Sequence, residues 1–163
     1  YTLNTLIVYA GKSGTCEEMV ERMAARLDGN VVRVNVKKDS VPDPAEFDRV
    51  IVGGSIYAGS LNKKVSGFCT SYEETLLARP TALFLCSLRE EDAEENFARS
   101  FPERLRKSAA AEAWLGGRFI FSQHNFVIRG MMKKIMGTDE DADTTRPEEA
   151  DRLVSAISNS ATA

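Results

Sequence analysis

Between an apolar run ending at Tyr9 and an amphipathic stretch from Glu17 the chain reads Ala10-Gly11-Lys12-Ser13-Gly14-Thr15-Cys16. Two glycines let a backbone turn sharply and approach a ligand closely. Ser13 and Thr15 add hydroxyls, and a helix starting here would turn its unpaired N–H groups and positive dipole end toward the same spot. This is chemistry for seating a phosphate. It is not a triphosphate loop, because G-x-x-x-x-G-K-S requires glycine at position 6, which is Leu6. A plain strand-to-helix turn, with Ser13 or Thr15 as N-cap, uses the same residue types.

Other chemistries are short of residues. A single histidine, His124, leaves no His-rich metal site, and Cys16, Cys69 and Cys86 form no C-x-x-C pair. Gly53-Gly54-Ser55 is not a nucleophile elbow, since Tyr57 fills the final glycine position. Asp139-Glu-Asp-Ala-Asp143 imitates a calcium loop, but Thr144 and Ala150 stand where glycine and glutamate are needed. With 21 basic and 24 acidic residues the net charge is −3, which argues against nucleic acid as a partner. The first five residues lack the basic and apolar regions of a signal peptide, and no apolar run reaches membrane-span length. The expected location is the cytoplasm.

The elements that position the first loop follow from periodicity. Leu3–Tyr9, Val31–Val36, Arg49–Val52, Thr81–Ser87 and Arg118–Phe121 read as strands, the third stopped by Gly53-Gly54. Helical spacing marks Glu17–Leu27, a stretch from about Asn62, an acid-rich stretch from about Glu91 to Ala111 broken at Pro102, Phe126–Met136 and Pro147–Ile157. The expected fold is α/β: one domain over residues 1–158 and a frayed tail at 159–163. A doubly wound five-stranded parallel sheet with helices on both faces places its ligand crevice at the strands' carboxyl ends. Three loops then converge: Ala10–Cys16, Gly53–Lys63 and Ser87–Glu91.

The first loop, with Ser13 and Gly14 in place and Gly11 and Cys16 departing from the pattern, resembles the phosphate loop of flavodoxins. Val50-Ile-Val-Gly-Gly-Ser-Ile-Tyr-Ala-Gly-Ser-Leu-Asn62 resembles that family's isoalloxazine loop, and is closer still to its menaquinone-dependent protoporphyrinogen dehydrogenase branch. The resemblance implies a flavodoxin-like sheet of order 2-1-3-4-5 and non-covalently held FMN. It assigns the phosphate to Gly11, Lys12, Ser13, Gly14, Thr15 and Cys16. Ile56 and Tyr57 would pack on the flavin ring, Ser55, Ala58 and Gly59 would offer backbone contacts, and Ser87, Leu88 and Arg89 would form the third flavin loop. Cys16 is structural or a weak phosphate contact in this scheme, not a redox thiol, and Cys16→Thr would restore the family's hydroxyl and tighten FMN binding. No catalytic residue and no metal is assigned.

The same branch is resembled by Gly116-Gly-Arg-Phe-Ile-Phe, by Ile128–Gly137 and by Asp143-Thr-Thr-Arg146. Phe126, Val127, Ile128, Met131, Met132, Ile135 and Met136 share one helical face, with Arg129, Lys133 and Lys134 opposite. That spacing suits a basic amphipathic helix touching a membrane or lipping a quinone site, and equally a core-facing helix with a solvated basic side. The function implied is electron transfer through FMN to a redox partner protein or a quinone. An enzyme that oxidises protoporphyrinogen IX, and a flavin-free module on the same fold, are the alternatives. The membrane reading adds a peripheral contact at the inner face through Phe126–Met136.

Overall fold

The computed structural model describes residues 2–11, 14–57 and 59–161; Lys12, Ser13 and Ala58 lie outside the described residues. Strands β1 (Asn4–Ala10), β2 (Asn30–Asn35), β3 (Arg49–Ser55), β4 (Thr81–Cys86) and β5 (Ala111–Trp114) form one sheet. All neighbours are parallel, in the order β2-β1-β3-β4-β5. Helices α1 (Thr15–Arg26), α2 (Lys63–Ser71), α3 (Glu73–Leu77), α4 (Ala93–Ser100), α5 (Glu103–Ser108) and, after β5, α7 (Pro147–Ala161) supply the layers. Helix α6 (Phe126–Met136) lies between a short antiparallel pair, β6 (Arg118–Phe119) and β7 (Ala142–Asp143).

Burial on both faces explains why the central strands are apolar at nearly every position. Leu6, Val8, Val50, Val52, Leu83 and Leu85 meet Val65, Phe68, Leu76, Phe97 and Leu105 on one side. Ile7, Tyr9, Ile51, Phe84 and Ala113 meet Met19, Val20, Met23, Leu153 and Ile157 on the other. At the amino end of the sheet the buried Arg49 donates to Thr5 Oγ1 at 3.0 Å and to the Asp28 carbonyl at 3.1 Å.

Several boundaries differ from the sequence reading. β3 does not stop at Gly53-Gly54 but runs to Ser55. The glycines serve close packing: a Cβ on Gly53 would stand 2.3 Å from the Phe84 carbonyl oxygen, and one on Gly54 2.7 Å from that of Ala10. The fifth strand is Ala111–Trp114, not Arg118–Phe121, of which only Arg118–Phe119 is extended, and outside the main sheet. Ala-Glu-Ala has helical propensity, yet Ala111 and Ala113 pair with Ala82 and Phe84, a tightly covered site that admits small residues. The acid-rich stretch is a 3-10 turn at Glu90–Asp92 followed by α4 and α5, parted at Phe101-Pro102. Helix α7 runs through Ala161, so the helix extends past Ile157 into the stretch read as a tail, whose last two residues lie outside the described residues.

Helix α6 keeps its expected bounds. Asn125 accepts from the Ile128 N–H at 3.0 Å and Gly137 ends it at φ 74°. No residue of it is buried, so the core-facing reading is overturned.

Candidate functional site

Helix α1 begins on Gly14, at φ 56° and ψ −95°, and among the described residues no side chain caps its first turn. The first helical bond is Glu18 N–H to the Gly14 carbonyl at 2.9 Å, so the N–H groups ahead of it face the loop. A Cβ on Gly14 would meet nothing within 4 Å, which leaves open space above those donors. These features fit a phosphate. The two acids of that turn are already engaged: Glu17 accepts from Tyr9 Oη at 2.8 Å and Asn35 Nδ2 at 3.2 Å, and Glu18 pairs with Arg118 at 3.2 Å. Burial, then the bond to Glu17, raises the Tyr9 hydroxyl's pKa.

Cys16 turns away from the loop. It is fully buried, its thiol 3.8 Å from the Ala10 carbonyl, and it packs in the same core cluster as Cys86. A hydrogen bond with the Cys16 thiol, then burial, holds the free Cys86 thiol well above the usual thiol range. Gly11 is required beside it, since a Cβ there would lie 2.9 Å from Cys16 Cβ. With the thiol held in the core, we expect any contact of Cys16 with a phosphate to come from its backbone N–H. Cys16→Thr is expected to leave FMN affinity within about twofold and to cost about 1–2 kcal/mol of stability through overpacking. Paired titration and urea unfolding check this; a clear gain in affinity would restore the loop contact.

The second loop leaves β3 at Ser55. Ile56 N–H extends the ladder to the Cys86 carbonyl at 2.9 Å, and Tyr57 and Ser60 exchange backbone hydrogen bonds of 2.8 and 3.0 Å. Gly59, at φ 79°, makes that turn possible, and its carbonyl accepts from Arg99 of α4 at 2.8 Å. The loop separates two cavities. Ile56 and Gly59 line one of about 740 Å³ together with Ser87, Leu88 and Arg89. Ser55 and Tyr57, the latter 59% exposed, line one of about 390 Å³ with Ala10, Lys37 and Asn62.

The third loop is held from β5 and from the residue that follows β7. Trp114 Nε1 donates to Ser87 Oγ at 2.8 Å, and Thr144 Oγ1 donates to the Leu88 carbonyl at 2.9 Å. Arg146 stacks over Trp114 at 5.3 Å and pairs with Glu90 at 3.2 Å. Arg89 is engaged by Glu91 at 3.0 Å and Asp92 at 3.5 Å. Met132, Ile135 and Met136 of α6 wall the larger cavity, where the third loop has no aromatic of its own. Glu91, Asp92 and Glu95 line it as well.

The structure thus brings Gly11, Gly14 and Thr15 to the end of β1, Ser55, Ile56, Tyr57 and Gly59 to the end of β3, and Ser87, Leu88 and Arg89 to the end of β4. Sequence reasoning missed Arg99, Trp114 and Thr144. Thr144 stood in a stretch already singled out, and Trp114 is the one tryptophan; nothing local marked Arg99.

Residues 6–146 match the model of the flavodoxin domain family. The chain belongs to that family of FMN-binding, flavodoxin-like proteins. Protoporphyrinogen IX dehydrogenase (quinone) of Escherichia coli strain K12 is 23% identical over 155 residues, covering 90% of this chain and 86% of that protein. Among solved structures, a short-chain flavodoxin associated with a non-canonical PDU bacterial microcompartment superposes with a TM-score of 0.61 at 14% identity, over 98% of this chain and 99% of that one. A Fusobacterium nucleatum flavodoxin bound to flavin mononucleotide gives 0.56 at 12%, over 99% and 96%. These structural likenesses concern the fold. Among the described residues no helix is long and apolar enough to cross a membrane.

Proposed function

We propose that this chain holds FMN at the carboxyl ends of β1, β3 and β4 and carries electrons through it to a quinone or a protein partner. The observation that carries the reading is the start of α1: a glycine at positive φ whose Cβ position is open among the described residues, beside two loops built as walls. Gly11, Lys12, Ser13, Gly14, Thr15 and the Cys16 backbone would seat the phosphate. Ser55, Ile56, Tyr57, Ala58, Gly59, Ser87, Leu88 and Arg89 would border the ring. The flavin supplies redox chemistry that no side chain here can perform; the protein supplies orientation and electrostatics. Purified protein titrated with FMN should bind one equivalent and show flavin absorbance at roughly 370–450 nm, a property of the cofactor. A folded chain that takes up none would leave the flavin-free module.

Tyr57 and Ile56 should contribute unequally. Tyr57→Ala is expected to weaken FMN by about 1–3 kcal/mol, the value of a buried aromatic contact, and Ile56→Ala by less. Equal or reversed losses in the same titration would assign the ring to the Ile56 side.

A second reading, oxidation of protoporphyrinogen IX with a quinone as acceptor, is favoured by the wide cavity beneath α6 and by the Escherichia coli relative, 86% of which the match covers. Turnover with porphyrinogen plus quinone separates it from simple electron carriage. Under either reading α6 makes a peripheral contact with an anionic bilayer at the membrane's inner face. Phe126, Val127, Met131 and Ile135 are exposed on it, and its charges are Arg129, Lys133 and Lys134, without an acid.

A further inference from the structure

Helix α4 carries a polar residue that the fold leaves idle. Asn96 sits in the middle of Ala93–Ser100 and is 5% exposed. Asparagine is a poor helix former, and a buried amide without a partner costs stability. Among the described residues the Asn96 side chain nevertheless has no hydrogen-bond partner. One turn further on, Ser100 Oγ is the described side-chain atom that is both fully buried and unpartnered. The Asn96 amide is not sealed in that way, and Asn96 lines the cavity of about 740 Å³ beneath α6.

The polar groups around it are already engaged. Arg89 is held by Glu91 and Asp92, and Arg99 by Glu95 at 2.6 Å and the Gly59 carbonyl at 2.8 Å. Three acids to two arginines leave this wall slightly negative, which disfavours an anionic ligand. Ile56, Met132, Ile135 and Met136 make the rest of it apolar.

We propose that this cavity is the subsite of a small, neutral quinone and that Asn96 is the residue that recognises it. The apolar wall covers the ring, and Nδ2 donates to a carbonyl oxygen, which can only accept. When the quinone becomes a quinol its oxygen gains a proton, and the amide can turn its Oδ1 to accept it, so one side chain serves both forms. The proposal rests on the electron-transfer reading above and selects the quinone from its two partners.

The test measures menadione binding by equilibrium dialysis to the full chain, with methylnaphthalene, the same skeleton without oxygens, as the control. The flavin-free chain should bind menadione at one saturable site. Asn96→Leu should weaken it about tenfold, the size of one hydrogen bond, and leave methylnaphthalene within about twofold. Asn96→Asp, equal in shape but without the donor, should weaken menadione at least as much. Because no partner in the chain is lost, Asn96→Leu should unfold in urea at the same or a higher midpoint. Equal losses for both ligands, an unmoved menadione affinity, or no saturable binding to the unaltered chain would overturn the assignment. Repeating the titration on FMN-loaded chain should preserve the effect of Asn96→Leu; exclusion of menadione by FMN would assign the cavity to the flavin itself and overturn the subsite. A chain that takes up no FMN refutes the flavin reading separately, since the first arm needs no cofactor.

Discussion

Gly14→Val is expected to abolish FMN binding, lowering affinity at least about a hundredfold, or about 2.7 kcal/mol, in a chain that still folds. Gly14 sits at φ 56°, where a β-branched residue is strongly disfavoured. Its Cβ position is open, so nothing in the core resists the substitution. The backbone would move instead, carrying the first-turn N–H groups of α1 out of register with a phosphate. The branched side chain would also fill the space the anion needs. Gly14→Ala, with an unbranched side chain in that open space, should lose less affinity than Gly14→Val. Calorimetric titration beside circular dichroism checks both; wild-type affinity in folded Gly14→Val would mean that the phosphate sits elsewhere.

The largest effect on stability is expected from Gly53→Ala. A methyl there would lie 2.3 Å from the Phe84 carbonyl oxygen and 2.4 Å from its ring. Phe84 is fully buried on a central strand, so neither atom can give way cheaply. Overpacking of this kind should cost about 3 kcal/mol or more, a large part of a domain's usual margin of about 5–15 kcal/mol. Gly67→Ala, on α2 with nothing within 4 Å of its Cβ, should instead gain about 0.5–1 kcal/mol from helix propensity. Urea unfolding of the two variants gives the contrast, and similar midpoints would show that β3 can shift away from β4.

Both predictions concern glycines, and they show what the sequence made legible. The first loop declared itself through residue types that suit a phosphate, and the sheet order came with the resemblance to flavodoxins. Gly53 misled because a glycine that breaks a strand and one that admits a neighbour's ring look alike in one dimension. β5 was missed for a related reason: Ala-Glu-Ala favours a helix locally, and only the pairing with β4 beneath α7 makes it a strand. The bounds of α6 were plain from its period and its Asn125 and Gly137 ends, but periodicity does not tell an apolar face turned to the core from one left outside. Arg99 was invisible because its role is a single bond to a backbone atom forty residues away.

Helix α7 carries a consequence for how the molecule is made. Ala150, Leu153, Val154 and Ile157 close the layer that also contains Ile7, Met19, Val20 and Met23, and Asp151 ties α7 to Arg22 and Arg26 of α1. On a ribosome the first strand and helix emerge long before their cover exists. A chain made from its amino end therefore leaves this apolar surface open to solvent until α7 has been made.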